Sequence, residues 1–272
     1  MDRLDNIRIC QVSTRHRTDD SRIFIKISRS LRKICDNVSF VGVGDESLVK
    51  ESINLIGINP CKKSISICQI KRVFQTYRRA LKENADLYHM HTPELIPLGL
   101  YLKLKHKKVI YDQHEFVNVT VRGWPLLKAV RFSLKHFFWW FEGLAYRYFD
   151  LIVCNTEGIY EVARGNKCVV ANFVDVDLIE KIKYKKNKTF SLVYAGGLSR
   201  DRSIFDLVES VGELNKDGIH VSLDLMGRWE EGLEEKCKEL EGWNYTTYHG
   251  LLDPIDVYTI MKTCHVGISV LK

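Results

Sequence analysis

The chain has 272 residues, 45% hydrophobic and 28% charged, a composition that suits one large or two medium globular domains. Five prolines and no low-complexity tract argue against disorder. The 41 basic and 34 acidic residues leave a formal charge of +7, compatible with an anionic ligand or surface and too small to argue for nucleic acid. The eight cysteines are scattered without a CxxC pair, several of them inside apolar runs such as Leu151–Cys154. They read as small buried hydrophobes with reduced thiols, not as zinc or redox sites. The N-terminus lacks the apolar stretch of a signal peptide and no apolar run approaches 18 residues, so a cytoplasmic compartment is expected.

In chain order, Ile7–Val12 predicts a strand, and a helix follows with Ile23, Ile27, Leu31 and Ile34 at helical spacing. Val38–Val43 is the second strand. Residues 44–67 hold only short β-like pieces, and Arg72–Glu83 predicts a helix with a very basic outer face. Leu87–His91 reads as a strand ending in histidines, and Thr92 as the N-cap of a helix reaching about Leu104. Val109–Asp112 is a strand that delivers Gln113, His114 and Glu115 to a loop. A long helix is predicted from about Pro125 to Phe149, then a strand at 151–154, a short helix capped by Thr156 and a strand at 168–170. Asn172–Lys188 breaks the rhythm and marks a boundary. Beyond it the alternation restarts, with strands at 191–195, 221–226, 245–248 and 266–270 and helices near 202–215, 230–240 and 255–262. Repeated βα units of this length predict parallel sheets covered by helices on both faces. The fold class expected is α/β, with two Rossmann-like, doubly wound parallel-sheet domains. Residues 1–172 form the first, 173–190 an interdomain crossing and 191–272 the second.

Ligands of such folds bind at the C-terminal ends of strands. Here those ends carry His89 and His91, His114 and Glu115, and Gly196 and Gly197. At the last of these a short apolar run stops at two glycines. A polar turn with Arg200 and Arg202 follows, then a helical pattern at Ile204, Leu207, Val208, Val211 and Leu214. Glycines let a phosphate approach the backbone, helix N–H groups point at it and arginines add charge. The alternative for the turn alone is an ordinary βα connection whose arginines face water.

Seven segments in sequence order resemble GT-B fold glycosyltransferases of the family 4 type, in particular a bacterial surface-polysaccharide subgroup. They are His16–Lys26, Tyr88–Gly99, Val109–Glu115, Asn172–Asp175, the 194–202 turn, Leu225–Arg228 and His249–Leu251. The resemblance covers essentially the whole chain. It implies the GT-B fold and a retaining, metal-independent transferase that moves a sugar from a nucleotide diphosphate-sugar. The acceptor would be polyprenyl-linked or a growing surface polysaccharide, and the nucleotide-sugar would be a substrate, so no cofactor is expected. Gly196, Gly197, Arg200 and Arg202 would cradle the donor phosphates, with Gly227, Arg228, His249, Gly250 and Leu251 near the nucleotide. His114 would lie beside the transferred sugar at an interdomain cleft, with His91 a second candidate catalytic residue. For the two histidines a structural His–Glu pair and plain packing against the next helix stand as alternatives. A surface ion pair with Asp201 or Asp206 is the alternative for the arginines.

Two departures stand out. Ser203 occupies a position where the family usually has glycine, and the chain reaches Lys272 before the family's Glu-x7-Glu segment. The resemblance therefore implies a C-terminally truncated enzyme with an incomplete second domain, and a remnant that at most binds nucleotide is an alternative. A nucleotide-sugar epimerase of the same fold is another. A nicotinamide-dependent dehydrogenase is disfavoured, because the loop after Val12 has no glycine. Asp175-Val176-Asp177 matches a metal-binding pattern but reads as a turn, and the Lys181–Lys188 cluster as a solvated linker face. The aromatic stretch 124–148 reads mostly as core, with Trp139 or Trp140 partly exposed. The other reading is a patch that meets the membrane surface and makes the enzyme peripheral.

Overall fold

The computed structural model describes residues 6–60, 67–114, 128–174 and 176–270. Glu115, Trp124, the predicted helix start at Pro125 and Asp175 lie outside the described residues. The chain divides into two compact units, Met1–Phe173 and Val174–Lys272.

The first unit is built on an eight-stranded sheet. Its strands are β1 (Arg8–Arg17), β2 (Asn37–Val43), β3 (Leu48–Lys50), β4 (Ile53–Ile58), β5 (Leu87–Met90), β6 (Lys108–Gln113), β7 (Leu151–Cys154) and β8 (Lys167–Val169). They lie in the order β3-β4-β2-β1-β5-β6-β7-β8, winding outward from β1 in both directions. Every neighbouring pair is parallel except β3 with β4. From Val38 on, β2 is buried without a break, as a parallel strand covered on both faces should be. The flanking helices include α1 (Arg29–Arg32), α2 (Ile67–Glu83), α3 (Ile96–Leu104), α4 (Lys128–Tyr148) and α5 (Glu157–Val162).

The helix predicted after β1 is not a plain α-helix. It is a π-helical segment, Ser21–Ser28, that tightens into α1, and the Asp20 carboxylate caps it by accepting from Arg22 N and Ile23 N at 2.9 Å each. π-segments widen a helix locally and recur at functional sites. Thr92 stands at the N-cap of a 3-10 turn (Pro93–Leu95) that leads into α3, but its hydroxyl caps no N–H and pairs with Thr14 at 3.0 Å instead. Thr156 does cap α5, accepting from Ile159 N at 3.3 Å.

The aromatic stretch is less buried than its reading as core requires. On α4, Phe132, Phe137, Trp139, Trp140 and Tyr148 are exposed, while Glu142 and Ala145, and Phe149 just past its end, are buried. Burial pushes the Glu142 carboxyl up to about 7. Gln113 Nε2 donates to it at 3.2 Å and the Tyr111 hydroxyl lies 3.5 Å away. One helix stripe reaches the core, so consecutive aromatics must also point outward.

The second unit carries the parallel strands β9 (Phe190–Ala195), β10 (Val221–Met226), β11 (Thr246–Tyr248) and β12 (Val266–Gly267), in the order β11-β10-β9-β12. Its helices are α6 (Val176–Glu180), α7 (Ile204–Lys216), α8 (Leu233–Lys238) and α9 (Pro254–Thr263). The last residues of the Asp-x-Asp pattern are helical in α6, not a turn, and Lys262 Nζ donates to Ile179 O at 2.5 Å. Each unit has its own core, with Tyr88, Met90, Leu98 and Ile152 in the first and Ile204, Val208, Leu223 and Leu225 in the second. Cys10, Cys35, Cys154, Cys237 and Cys264 are buried free thiols, whereas Cys68 is disulfide-bonded, against the expectation of uniformly reduced thiols.

Candidate functional site

In the first unit the strand register assembles a polar cluster. Gln11 lies opposite His89 and Met90 opposite Tyr111, which brings His91 level with Asp112. Side chains alternate along a strand, so Gln11, His89, His91, Asp112 and His114 project from one face of β1, β5 and β6. Asp112 is the hub. Arg22 NH2 lies 3.0 Å from its Oδ1, and Arg22 Nε lies 3.3 Å from Oδ2. His91 Nδ1 and His114 Nε2 each lie 3.4 Å from Oδ2, and His89 Nε2 lies 3.7 Å from it. Burial by itself would raise the Asp112 carboxyl, but hydrogen bonds from His114 and His91 outweigh it and hold the group well below its usual range. Burial also drives His89 down to about 3 and His91 to about 4, so both are neutral at pH 7.

Gln11 Oε1 lies 2.6 Å from His91 Nε2, while His91 Nδ1 faces both His114 Nε2 at 3.2 Å and Asp112 Oδ2 at 3.4 Å. His114 turns Nε2 to His91 and Asp112, so its Nδ1 is the ring nitrogen left towards a ligand. Asn155, just past β7, donates to His114 O at 2.8 Å and holds the start of that loop. A cavity of about 370 Å³ opens here, lined by Arg15, His16, His91, Thr92, His114 and Asn155 among others. On its rim Glu94 receives Arg15 Nε at 2.7 Å and the Thr14 hydroxyl at 2.5 Å.

Both predicted histidines are therefore in one cluster, with different duties. His91 is sealed in and orients its neighbour, while His114 is part-exposed to the cavity. Among the described residues His89, His91 and Asp112 could offer ligand atoms to a metal ion, within 4.8 Å of one another. Asp112, Gln11, Arg22 and Asn155 carry no sequence-based role. The signal for Asp112 was available: a carboxylate closing an apolar strand must find a cation or donors.

The second unit brings together residues from three strand ends. Gly196 N donates to Met226 O, Leu198 N to Arg228 O and Gly227 N to Gly250 O, each at 2.9 Å. Gly227 has φ +138°, and a Cβ there would meet Gly196 O at 1.7 Å, so the backbones touch where only glycine fits. The Tyr194 and Tyr248 hydroxyls donate to Gly197 O and Gly227 O at 3.1 and 2.9 Å, fixing the loops from below. Gly196 and Gly197 are exposed on top of this lacing, followed by a 3-10 turn (Arg200–Arg202) and α7. Arg200 faces Glu230, with Nε 3.9 Å from its carboxylate and the backbone N 3.0 Å from it, not Asp201 or Asp206. Arg202 and Arg228 are exposed and have no ion-pair partner among the described residues. His249 Nε2 pairs with Asp224 Oδ1 at 2.6 Å, a partner sequence reasoning missed, and Leu251 is exposed.

Two laced glycine loops beside a basic turn, and a histidine-lined cavity on a parallel sheet, define a two-unit α/β protein with a separate polar site on each unit. The chain belongs to glycosyltransferase family 4: the family model matches residues 21–178, more than half of its length. No curated protein sequence matches it. Among solved structures it is similar to sucrose-phosphate synthase from Thermosynechococcus elongatus, at 11% identity and TM-score 0.67, covering 96% of this chain and 74% of that one. A trehalose-6-phosphate protein from E. coli bound with UDP-2-fluoro glucose gives 11% identity and TM-score 0.64, over 97% and 78%. A putative UDP-N-acetylglucosamine 2-epimerase from Listeria monocytogenes gives 14% and 0.58, over 98% and 74%. At these identities the likeness is one of fold, and the fold is GT-B.

Proposed function

We propose that this family 4 glycosyltransferase moves a sugar, with retention and without a metal ion, from a nucleotide diphosphate-sugar to a lipid-linked or growing surface polysaccharide. The observation that carries the reading is the laced turn at Gly196–Gly197. With Gly196 N engaged by Met226 O, the exposed Gly197 N and the start of α7 would offer backbone donors, and Arg200 and Arg202 two positive charges, to a diphosphate. Glycosyl transfer must stabilise charge developing on the departing nucleotide diphosphate, and Arg202, exposed and without an ion-pair partner among the described residues, would do so. Gly227, Arg228, His249, Gly250 and Leu251 would meet the nucleoside. The uridine nucleotide on the E. coli structural relative supports a donor of this class.

On the first unit His114 would hold a hydroxyl of the transferred sugar through Nδ1, with His91 and Asp112 fixing its ring. The exposed aromatics of α4 support contact of segment 124–148 with a membrane surface on the cytoplasmic side, where a polyprenyl-linked acceptor would be reached.

Thermal-shift titration with nucleoside diphosphates and their sugars tests the donor site. Stabilisation by at least one nucleotide, abolished in Arg202→Ala, is expected; stabilisation retained in that variant removes the phosphate assignment. An epimerase reading is favoured only by the likeness to epimerase structures. Incubation with donor and no acceptor separates the two, since an epimerase returns an isomerised nucleotide-sugar.

A further inference from the structure

Three donor atoms of the first-unit cluster stand in a nearly equilateral triangle. His91 Nδ1 lies 3.2 Å from His114 Nε2, and Asp112 Oδ2 lies 3.4 Å from each of them. Ligands about 2.05 Å from a tetrahedral ion stand about 3.3 Å apart, so this spacing is the edge of a coordination tetrahedron. Hydrogen bonds can also hold such a triangle, but they leave His89 over. That residue is 7% exposed, and its Nε2 has no hydrogen-bond partner and lies 3.7 Å from the same Asp112 oxygen. A buried nitrogen without a partner is a cost that an ion within reach removes. The outer contacts agree. An ion on His91 Nδ1 forces the proton of that ring onto Nε2, where Gln11 Oε1 stands 2.6 Å away. Arg22 holds the other Asp112 oxygen at 3.0 Å, and Asn155 fixes the His114 backbone at 2.8 Å.

We propose that this cluster binds a divalent transition-metal ion, best matched by Zn²⁺, with His91, His114 and Asp112 as ligands and His89 closing in as the fourth. Imidazole-rich sets with one carboxylate suit zinc, cobalt and nickel, whereas Mg²⁺ and Ca²⁺ favour oxygen ligands. Arg22 also touches Oδ2, at 3.1 Å, so the ion shares that oxygen with a cation and is held less tightly than in a dedicated zinc cage. The site therefore suits a reversible occupant. His91 and His114 line the cavity, which gives the ion its entry path. Transfer as proposed above needs no ion, and the binding does not rest on that reading. One consequence does: an ion on His114 Nε2 adds positive charge beside a sugar that becomes oxocarbenium-like, so occupancy should slow transfer.

The test is titration of the chelator-stripped full chain with Co²⁺ and Zn²⁺, in the absence of donor and acceptor. Co²⁺ should bind once per chain and develop the visible bands of a low-coordinate nitrogen and oxygen site, without a thiolate charge-transfer band. Zn²⁺ should displace it, and Mg²⁺ in large excess should not. Gln11→Met, which keeps all the ligands, should weaken Zn²⁺ about 10- to 100-fold, His89→Gln about tenfold and His114→Gln roughly 100-fold or more. His220→Gln, at an exposed histidine of the second unit, should leave binding unchanged. Melting without metal confirms that each variant is folded, and His114 is partly exposed, so His114→Gln carries the test where a buried variant fails to fold. Absence of the Co²⁺ bands together with absence of a zinc-dependent rise in melting temperature overturns the proposal. So does parental affinity in His114→Gln, or loss of binding on alkylation of the cysteines, which would place the ion on thiols. Zinc binding that leaves transfer unchanged overturns the consequence for transfer and supports the site.

Discussion

Arg22 and Asp112, 90 residues apart in sequence, form a buried pair in which the guanidinium meets both carboxylate oxygens within 3.3 Å. Arg22 NH2 also donates to Val170 O at 3.1 Å, and one turn on, Lys26 Nζ reaches Asn172 Oδ1 at 2.7 Å and Phe173 O at 2.6 Å. One helical segment thus neutralises the hub of the histidine cluster and holds the strand-end segment 170–173.

Removing either partner leaves an uncompensated buried charge. Arg22→Met or Asp112→Leu alone should destabilise the first unit by about 3–5 kcal/mol, and the double variant by less than the sum. Urea denaturation of the three variants measures this; additive losses would show that the pair does not act as a unit.

Acid should weaken the first unit well before its carboxylates protonate. His89 and His91 titrate in the fold at about 3 and about 4, below the ordinary 6.5. As pH falls below 6.5, the unfolded chain takes up the protons that the fold refuses. Their contribution is full above pH 6.5 and is lost as pH falls towards 4 and then 3, by about 1.4 kcal/mol per pH unit for each histidine. Urea midpoints at pH 7.5, 6 and 5 should decline accordingly, and His91→Gln should flatten the decline by about half. A flat profile in the parent chain would contradict the assignment.

Gly227→Ala should push the two glycine loops of the second unit apart, because its Cβ would overlap Gly196 O. We expect a loss of about 2–4 kcal/mol and no nucleotide-dependent thermal shift. A variant that melts like the parent would show that the loops can separate freely.

Ser203→Gly should act the other way. Ser203 is held at φ +54°, ψ +32°, in the left-handed region, and its hydroxyl caps nothing. Glycine relieves about 1 kcal/mol of strain, part of it returned as unfolded-chain entropy, for a net gain of about 0.5 kcal/mol. Differential scanning calorimetry of the second-unit transition reads it; a lower melting temperature would mean that the Ser203 side chain contributes packing that outweighs the strain.

His114→Ala tests whether the two polar sites have separate duties. Transfer should fall by about 100-fold or more, while the nucleotide-dependent shift persists because the variant leaves the second unit intact. Loss of the shift would place His114 in donor binding.

Much of the fold was legible because its signals are local. Apolar runs of four to six residues alternating with helical periodicity predicted β6, β7, β9 and β10 within a residue or two, and the Gly-Gly turn announced a βα connection where one stands. Less legible were features set by partners distant in sequence. Thr92 looked like a cap, but the neighbouring strand offered Thr14 to its hydroxyl. The aromatics of α4 looked like core, but a single helix stripe reaches the sheet.

The histidines at the ends of β5 and β6 and the glycines after β9 and β10 follow from sequence alone, because strand termini in parallel sheets are where loops and ligands gather. Only the tertiary structure decided which of those residues matter together. The in-register pairing of β1, β5 and β6 sets Gln11, His89, His91, Asp112 and His114 on one face, where burial keeps His89 and His91 neutral and hydrogen bonds from the histidines keep Asp112 ionised. The lacing of Gly196, Gly227 and Gly250 is likewise a matter of strand neighbours, since backbone hydrogen bonds between loops depend on which strands lie side by side, and sequence order does not reveal that.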